Sequence, residues 1–370
     1  MNSRQRLTAV LNGQIPDRVP ISTYELVGFD SKAFENNQPS YKPLMDHIRG
    51  NTDCVCMWQP KNDNIFIQSA GGLVESIINR LDNTVITESR ISTPKGSLSQ
   101  VVKRIDDINT NWQVEHYCKS SADIDKALSV PFEPLTYDFS DFQRISAEVG
   151  GNGIIMTSLG DALLWAAELM SFQEYMMWAT LEEDHFAATV KTLHERNMIN
   201  LSRMLEAGVV DLYRICGPEY AAPPYMPPQF FEKYVVPYVS DMVDLIHGKG
   251  AKARVHCHGK IGRVMDMIAA TGADAIDPCE APPDGDAGLA EVKKRIGDRM
   301  CIFGNIQLKL LEHGDGCEVA AEVKKSMAAA KQGGRFVIMP TAAPINVPLS
   351  DKTAENYRIF IDTALECGLY

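Results

Sequence analysis

The chain has 370 residues, 45% hydrophobic and 23% charged, with a net charge of −12. A chain of this length buries a large core without a disulfide or metal to staple it, and an average composition excludes wholesale disorder. The acidic balance, with no basic cluster, excludes a general nucleic-acid binder. The nine cysteines (Cys54, Cys56, Cys118, Cys216, Cys257, Cys279, Cys301, Cys317 and Cys367) are scattered and odd in number, which suits a reducing cytoplasm better than a disulfide framework. The opening residues Met1 to Leu7 have no apolar run behind their charges, so no signal peptide is expected. No stretch approaches the ~18 apolar residues of a membrane span, so no membrane partner is expected either.

In chain order, residues 3–12 read as a short helix capped by Ser3, with Leu7, Val10 and Leu11 on one face and Gly13 and Pro16 beyond it. Arg18 to Tyr24 reads as the first barrel strand. Residues 83–105 carry two strand-like runs around Thr93-Pro94-Lys95-Gly96, which predicts a hairpin-like antiparallel excursion. From residue 151 short apolar strands alternate with helical stretches. The strands are expected at 154–157, 209–215, 252–258, 275–278, 301–304 and 335–339. The helices are expected at 161–206, 228–247, 261–270, 289–296, 318–330 and 353–366. That alternation implies a parallel sheet buried on both faces. No G-x-G-x-x-G turn follows a strand, which weakens a nucleotide-binding open sheet against a barrel. The expectation is one α/β domain over residues 1–370, a (β/α)8 TIM barrel with a small β-hairpin insertion.

The unusual local feature is Val255-His256-Cys257-His258-Gly259. Alternation along a strand sends His256 and His258 to one face and Cys257 to the other. In a barrel the first face is the interior, and the C-terminal strand ends carry the site. The next strand ends in Asp277-Pro278-Cys279-Glu280, which brings Glu280 to the same level. Two histidines and a carboxylate with an open position suit a catalytic divalent metal, zinc above all. The competing reading is of imidazoles that hydrogen-bond to neighbouring carboxylates. Glu219, in Cys216-Gly217-Pro218-Glu219-Tyr220, and Asn305, after Gly304, are expected at the same mouth in catalytic roles, against the plainer readings of a surface acid and a turn Asn. Tyr220, Tyr225 and Met226 are expected as an apolar lid, or as packing of their own loop. Asp284, in the Pro282–Asp286 loop, is expected as a substrate contact, against ordinary turn chemistry for that loop.

Gly13-Gln14-Ile15-Pro16-Asp17-Arg18-Val19-Pro20 resembles the G-x-x-P-D-R-x-P opening of the uroporphyrinogen decarboxylase superfamily, and most closely that of its corrinoid-dependent methyltransferase branch. Gly272-Ala273-Asp274, Phe303-Gly304-Asn305, Gly333-Gly334-Arg335-Phe336 and Glu355-Asn356 resemble later family segments; Ala207 to Asp211 does so loosely. The likeness covers nearly the whole chain, most firmly residues 200–370. In that branch a His-x-Cys pair and a later Cys bind zinc, which activates a thiol that takes a methyl group from a corrinoid. His256 matches the family's His. His258 stands where the family has Cys, and the later Cys would fall near Ala342. Glu280 lies where the branch carries an acidic residue. With both thiolates replaced, the resemblance implies a harder, less negative site.

The resemblance thus implies a metal-dependent methyltransferase of O-demethylase or cobamide type. It would exchange a methyl group between a small-molecule donor or acceptor and a corrinoid, free or on a partner corrinoid protein. The decarboxylase's Arg-Gln-Ala-Gly-Arg-Tyr motif has no counterpart in Ile21-Ser22-Thr23-Tyr24-Glu25. A metal-free decarboxylase and a non-catalytic corrinoid- or tetrapyrrole-binding barrel are the two alternatives.

Overall fold

Seven of the apolar runs form one parallel sheet. A computed structural model describes residues 1–370. In chain order its main strands are β1 (Cys54–Met57), β2 (Val74–Leu81), β3 (Thr84–Thr93), β4 (Gly96–Ile105), β5 (Asn111–Glu115), β6 (Gly153–Gly160), β7 (Leu212–Cys216), β8 (Lys252–His256), β9 (Ala275–Asp277), β10 (Cys301–Ile306) and β11 (Phe336–Pro340). The parallel sheet runs β1-β6-β7-β8-β9-β10-β11, so each strand lies beside the next in sequence, with helices crossing between most of them. Such crossovers cover the outer face of a parallel sheet.

The two faces bury different sets. Outward side chains such as Tyr213, Ala253, Val255 and Ile276 join a cluster of 82 buried residues with the helices. Inward side chains, among them Met156, Leu212, Ala275, Phe303 and Met339, form a second cluster of 12. Leu7, Val10 and Leu11 of the helix Ser3–Leu11 complete the inner cluster. That helix is capped by Asn2 with Gln5, not by Ser3.

Two expectations need correction. Arg18 to Tyr24 is not a regular strand; Pro20 lacks the N–H a ladder needs. The segment instead bridges the two edges of the sheet. The Ile338 amide donates to Pro20 O at 3.0 Å, the Ser22 amide to Ile338 O at 2.9 Å, and the Asp53 amide, just ahead of β1, to Ile21 O at 2.7 Å. The first regular strand is β1, a four-residue run that the sequence reading passed over. The excursion is also larger than a hairpin. β2 to β5 form a four-stranded antiparallel sheet from Val74 to Glu115. Its inner face packs through Ile91 and Leu98, while β2 stands almost wholly exposed.

The opening motif is a clasp. Asp17 accepts from Arg6 Nε at 2.7 Å, and the buried Asp53 accepts from Arg6 at 2.6 Å and Arg18 at 2.7 Å. No helix is long and apolar enough to cross a membrane, and all nine cysteines are free thiols.

Candidate active site

Strand alternation places the inner polar groups. On β8, Ala253 and Val255 face the helices, so Arg254 and His256 face inward. Register then sets their neighbours: Arg254 lies opposite Arg214 on β7, and His256 opposite Asp277 on β9. Asp277 serves two partners. Its Oδ2 is 2.9 Å from His256 Nδ1, and its Oδ1 is 2.9 Å from Arg254 Nε. Arg214 donates to the Tyr24 hydroxyl at 3.0 Å and reaches Glu25 at 3.4 Å. Arg254 lies 4.8 Å above the Phe303 ring.

His258 lies just past the end of β8. Its ring stands edge-on to His256, with centroids 4.5 Å apart and planes at 88°. Its Nδ1 is 3.2 Å from Glu280 Oε1, and Glu280 Oε2 accepts the Gly259 amide at 2.7 Å. Each imidazole therefore leans through Nδ1 on a carboxylate, and neither Nε2 has a protein partner. Glu280 is spent on these contacts, and no three His, Cys, Asp or Glu side chains converge as a ligand set. The expected trio of His256, His258 and Glu280 is thus a neighbourhood of two free Nε2 atoms backed by Asp277 and Glu280.

The electrostatics follow from burial and pairing. Burial holds His256 below its ordinary pKa against the pull of Asp277. Burial also opposes protonation of His258, yet its bond to Glu280 and the charge of Glu280 raise it above the usual value. Glu280, despite burial, is held below the carboxylate range by His258 and the Gly259 amide. Asp277 is driven well down by Arg254 and His256, against the largest desolvation opposing it.

A cavity of about 460 Å³ opens over His258. Glu219, Tyr220, Tyr225, His258, Glu280 and Asp284 all line it. Glu219 Oε2 accepts the Gly217 amide at 2.9 Å, which aims the carboxylate across the 3-10 turn Pro218–Ala221. Burial pushes the Tyr220 phenol up to about 12. Tyr225 packs edge-on against Phe172 at 4.7 Å, and Asp284 pairs with Lys309. Two expected residues lie elsewhere. Asn305 is buried; its amide donates to Cys279 O at 3.0 Å, and Ser326 of the helix Gly316–Ala330 approaches its Oδ1. Met226 is buried in the outer core and does not line the cavity.

The family profile of uroporphyrinogen decarboxylase (URO-D) matches residues 81–364. The chain belongs to the uroporphyrinogen decarboxylase family. A uroporphyrinogen decarboxylase from Vibrio cholerae is 25% identical over 142 residues, 38% of this chain and 38% of that protein, so the chain matches under two fifths of that relative's length. A methyltransferase from Methanosarcina mazei superposes with a TM-score of 0.65 over 99% of both chains at 18% identity, a likeness of fold alone.

In this uroporphyrinogen decarboxylase family member the sequence reading missed Phe172, Asp161 and the inner network of Tyr24, Arg214, Arg254 and Asp277. Asp161 follows β6, caps the helix Ala162–Glu168 through the Leu164 amide at 2.8 Å, and packs against Gly217. Burial pushes its carboxyl up to about 8, and the charge of Glu219 adds to that shift. A signal existed for Arg254: it stands two residues before His256, on the face already assigned to the histidines.

Proposed function

We propose that this family member is a methyltransferase that exchanges a methyl group between a small substrate and a corrinoid, free or presented by a corrinoid protein. The observation carrying the reading is the His256–His258 pair, edge-on at 4.5 Å with both Nε2 atoms free and both Nδ1 atoms held by carboxylates. Carboxylate-backed imidazoles are the usual outer-shell arrangement of metal-binding histidines. Donors of this kind fit a divalent metal such as zinc, held at His256 Nε2 and His258 Nε2. Bound there, the metal would supply Lewis acidity toward an ether or hydroxyl oxygen. Asp277 and Glu280 fix the ring orientations. Glu219, with one oxygen on the Gly217 amide, keeps the other for moving a proton to or from the substrate oxygen. Tyr220, Tyr225 and Phe172 supply an apolar wall that sheds water from the reacting centre. The same reading takes the sheet as a closed (β/α)8 barrel, with residues 18–24 as the eighth stave.

The test is His258→Ala. The residue sits beyond the strand end and its side chain is 39% exposed, so circular dichroism should be unchanged. Zinc affinity should fall by more than the ~10–100-fold typical of losing an outer-shell partner, and protein purified without chelator should lose its metal. Unchanged metal content would remove the metal reading. The alternative is the metal-free decarboxylase, in which the imidazoles do no more than hydrogen-bond to Asp277 and Glu280. Wild-type protein that contains no metal and releases CO2 from a carboxylated substrate would establish that alternative.

A further inference from the structure

The mouth is electrically divided. Glu219, Glu280 and Asp284 line the outer cavity, whereas Arg214 and Arg254 lie side by side on adjacent strands next to His256. The arginine side chains are 8% and 1% exposed. Asp277 is the fully buried counter-charge of Arg254, and its two oxygens already face Arg254 Nε and His256 Nδ1. Arg214 is left with the neutral Tyr24 hydroxyl and with Glu25, which is 3.4 Å away and 48% exposed. Arg214 Nε, Arg254 Nε and Nη1 and Asp277 Oδ1 are buried without any hydrogen-bond partner, so the 2.9 Å approach of Arg254 Nε to Asp277 Oδ1 is an ion pair without hydrogen-bond alignment. A guanidinium offers five donors and is costly to bury unless they are met. The two charges are matched by Asp277 and Glu25, but the pair keeps buried N–H groups that no protein acceptor meets.

We propose that Arg214, backed by Arg254, seats an anionic group of the small substrate, a carboxylate or similar planar oxyanion, which displaces Glu25 from the guanidinium. The inference rests on the mouth being the active site and adds the chemical class of what enters it. A planar carboxylate matches the guanidinium fork better than the single loose contact from Glu25 does. Glu25 is free to swing to solvent, since it is already half exposed. The seat also sets the pose. Tyr24, on which Arg214 leans, lies 6.5 Å from the His256 ring, and His256 lies 4.5 Å from His258. A substrate with its anionic end on Arg214 thus extends its other end under the imidazoles and toward Glu219. The acidic outer wall disfavours the reversed pose, with the anionic end beside Glu219, Glu280 and Asp284.

The test reads binding, so it stands apart from methyl transfer. Benzoate and its neutral isostere benzamide are titrated into the full-length protein by calorimetry, with thermal unfolding as a second readout. Benzoate should bind and raise the melting temperature, and benzamide should bind at least tenfold more weakly. Arg214→Gln should lose benzoate affinity by at least tenfold and leave benzamide unchanged. Glu25→Gln should tighten benzoate several-fold, because it removes the competitor. A merely structural Glu25–Arg214 contact would give no such gain. Equal binding of the two probes, binding of neither, or an Arg214→Gln variant that binds benzoate normally overturns the proposal. If Arg214→Gln does not fold, the Glu25→Gln result decides it: tightening supports the seat, and no change overturns it. Benzoate binding by a protein that transfers no methyl group leaves the seat standing and removes the reading above. Methyl transfer without benzoate binding does the reverse.

Discussion

β8 and β2 invert each other. β8 sends Arg254 and His256 into the interior, where both are buried against Asp277. β2 holds Ile77, Ile78 and Leu81 in solvent, each more than three-fifths exposed. The difference is one of stakes. A buried ion network survives only if nearly every partner is present, because each uncompensated charge in a low-dielectric interior is costly. An exposed isoleucine costs little, since it gives up only burial it never had. The inner network is therefore brittle and specific, and the outer strand tolerant.

The comparison breaks first at Asp277. Asp277→Ala strands Arg254 without a counter-charge and leaves His256 Nδ1 without its partner, and we expect a loss of about 3–5 kcal/mol in denaturant unfolding. A loss under ~1 kcal/mol would mean that charge pairing does not hold the interior together. Ile91→Ala tests the antiparallel sheet from its buried side. Ile91 is fully enclosed, so truncation should cost about 2–4 kcal/mol, as core deletions do. Asp161 separates burial from charge. Its carboxyl, pushed up to about 8 by burial, holds its proton in the folded chain at pH values where the unfolded chain has released it. The contribution of Asp161 to stability should therefore be full below pH ~4, decline between pH ~4 and ~8 by up to ~1.4 kcal/mol per unit, and be absent above, while Asp277 and Glu280, held low, contribute in the opposite sense in acid. Asp161→Asn keeps an acceptor for the Leu164 amide and carries no charge, so the stability of wild type minus that of the variant should fall across this range in unfolding curves. The smallest effect is expected on β2. Ile78→Ser should move stability by no more than ~0.5 kcal/mol. A larger loss would show that the exposed face is covered in solution.

Some of this was legible in the sequence, for reasons of range. From residue 151 the strands are short, apolar and spaced by helices, so local pattern sufficed. His256 and His258 were placed by alternation within one strand, and Glu280 by the end of the next. Glu219, Tyr220, Tyr225 and Asp284, expected over the same mouth, line one cavity. What escaped depends on pairing between distant segments. β1 is four residues long, too short to show a period. The bridging segment 18–24 is defined by hydrogen bonds to Ile338 and Asp53, not by its own pattern. β2 lacks a buried face, so no alternation marks it. The Arg214–Arg254–Asp277 network arises from the register of three strands. Asn305 reads as a mouth residue until Cys279 and Ser326 are seen to claim its amide.

The clasp at Asp17 has a mechanical consequence. The Met1 ammonium lies 2.9 Å from Asp17 Oδ2, the Tyr370 amide reaches Asp17 O, and the Val19 amide donates to Gly368 O at 2.9 Å. Residues 1 and 370 thus meet at one place, Asp17 to Val19. A force pulling residues 1 and 370 apart would load those few bonds before it loaded any helix. The next elements to feel it would be residues 20–22, whose backbone ties one edge of the parallel sheet to the other. Tension applied at residues 1 and 370 would thus reach the sheet at its seam, while β7 to β9, in the middle of the strand order, would be the last to part.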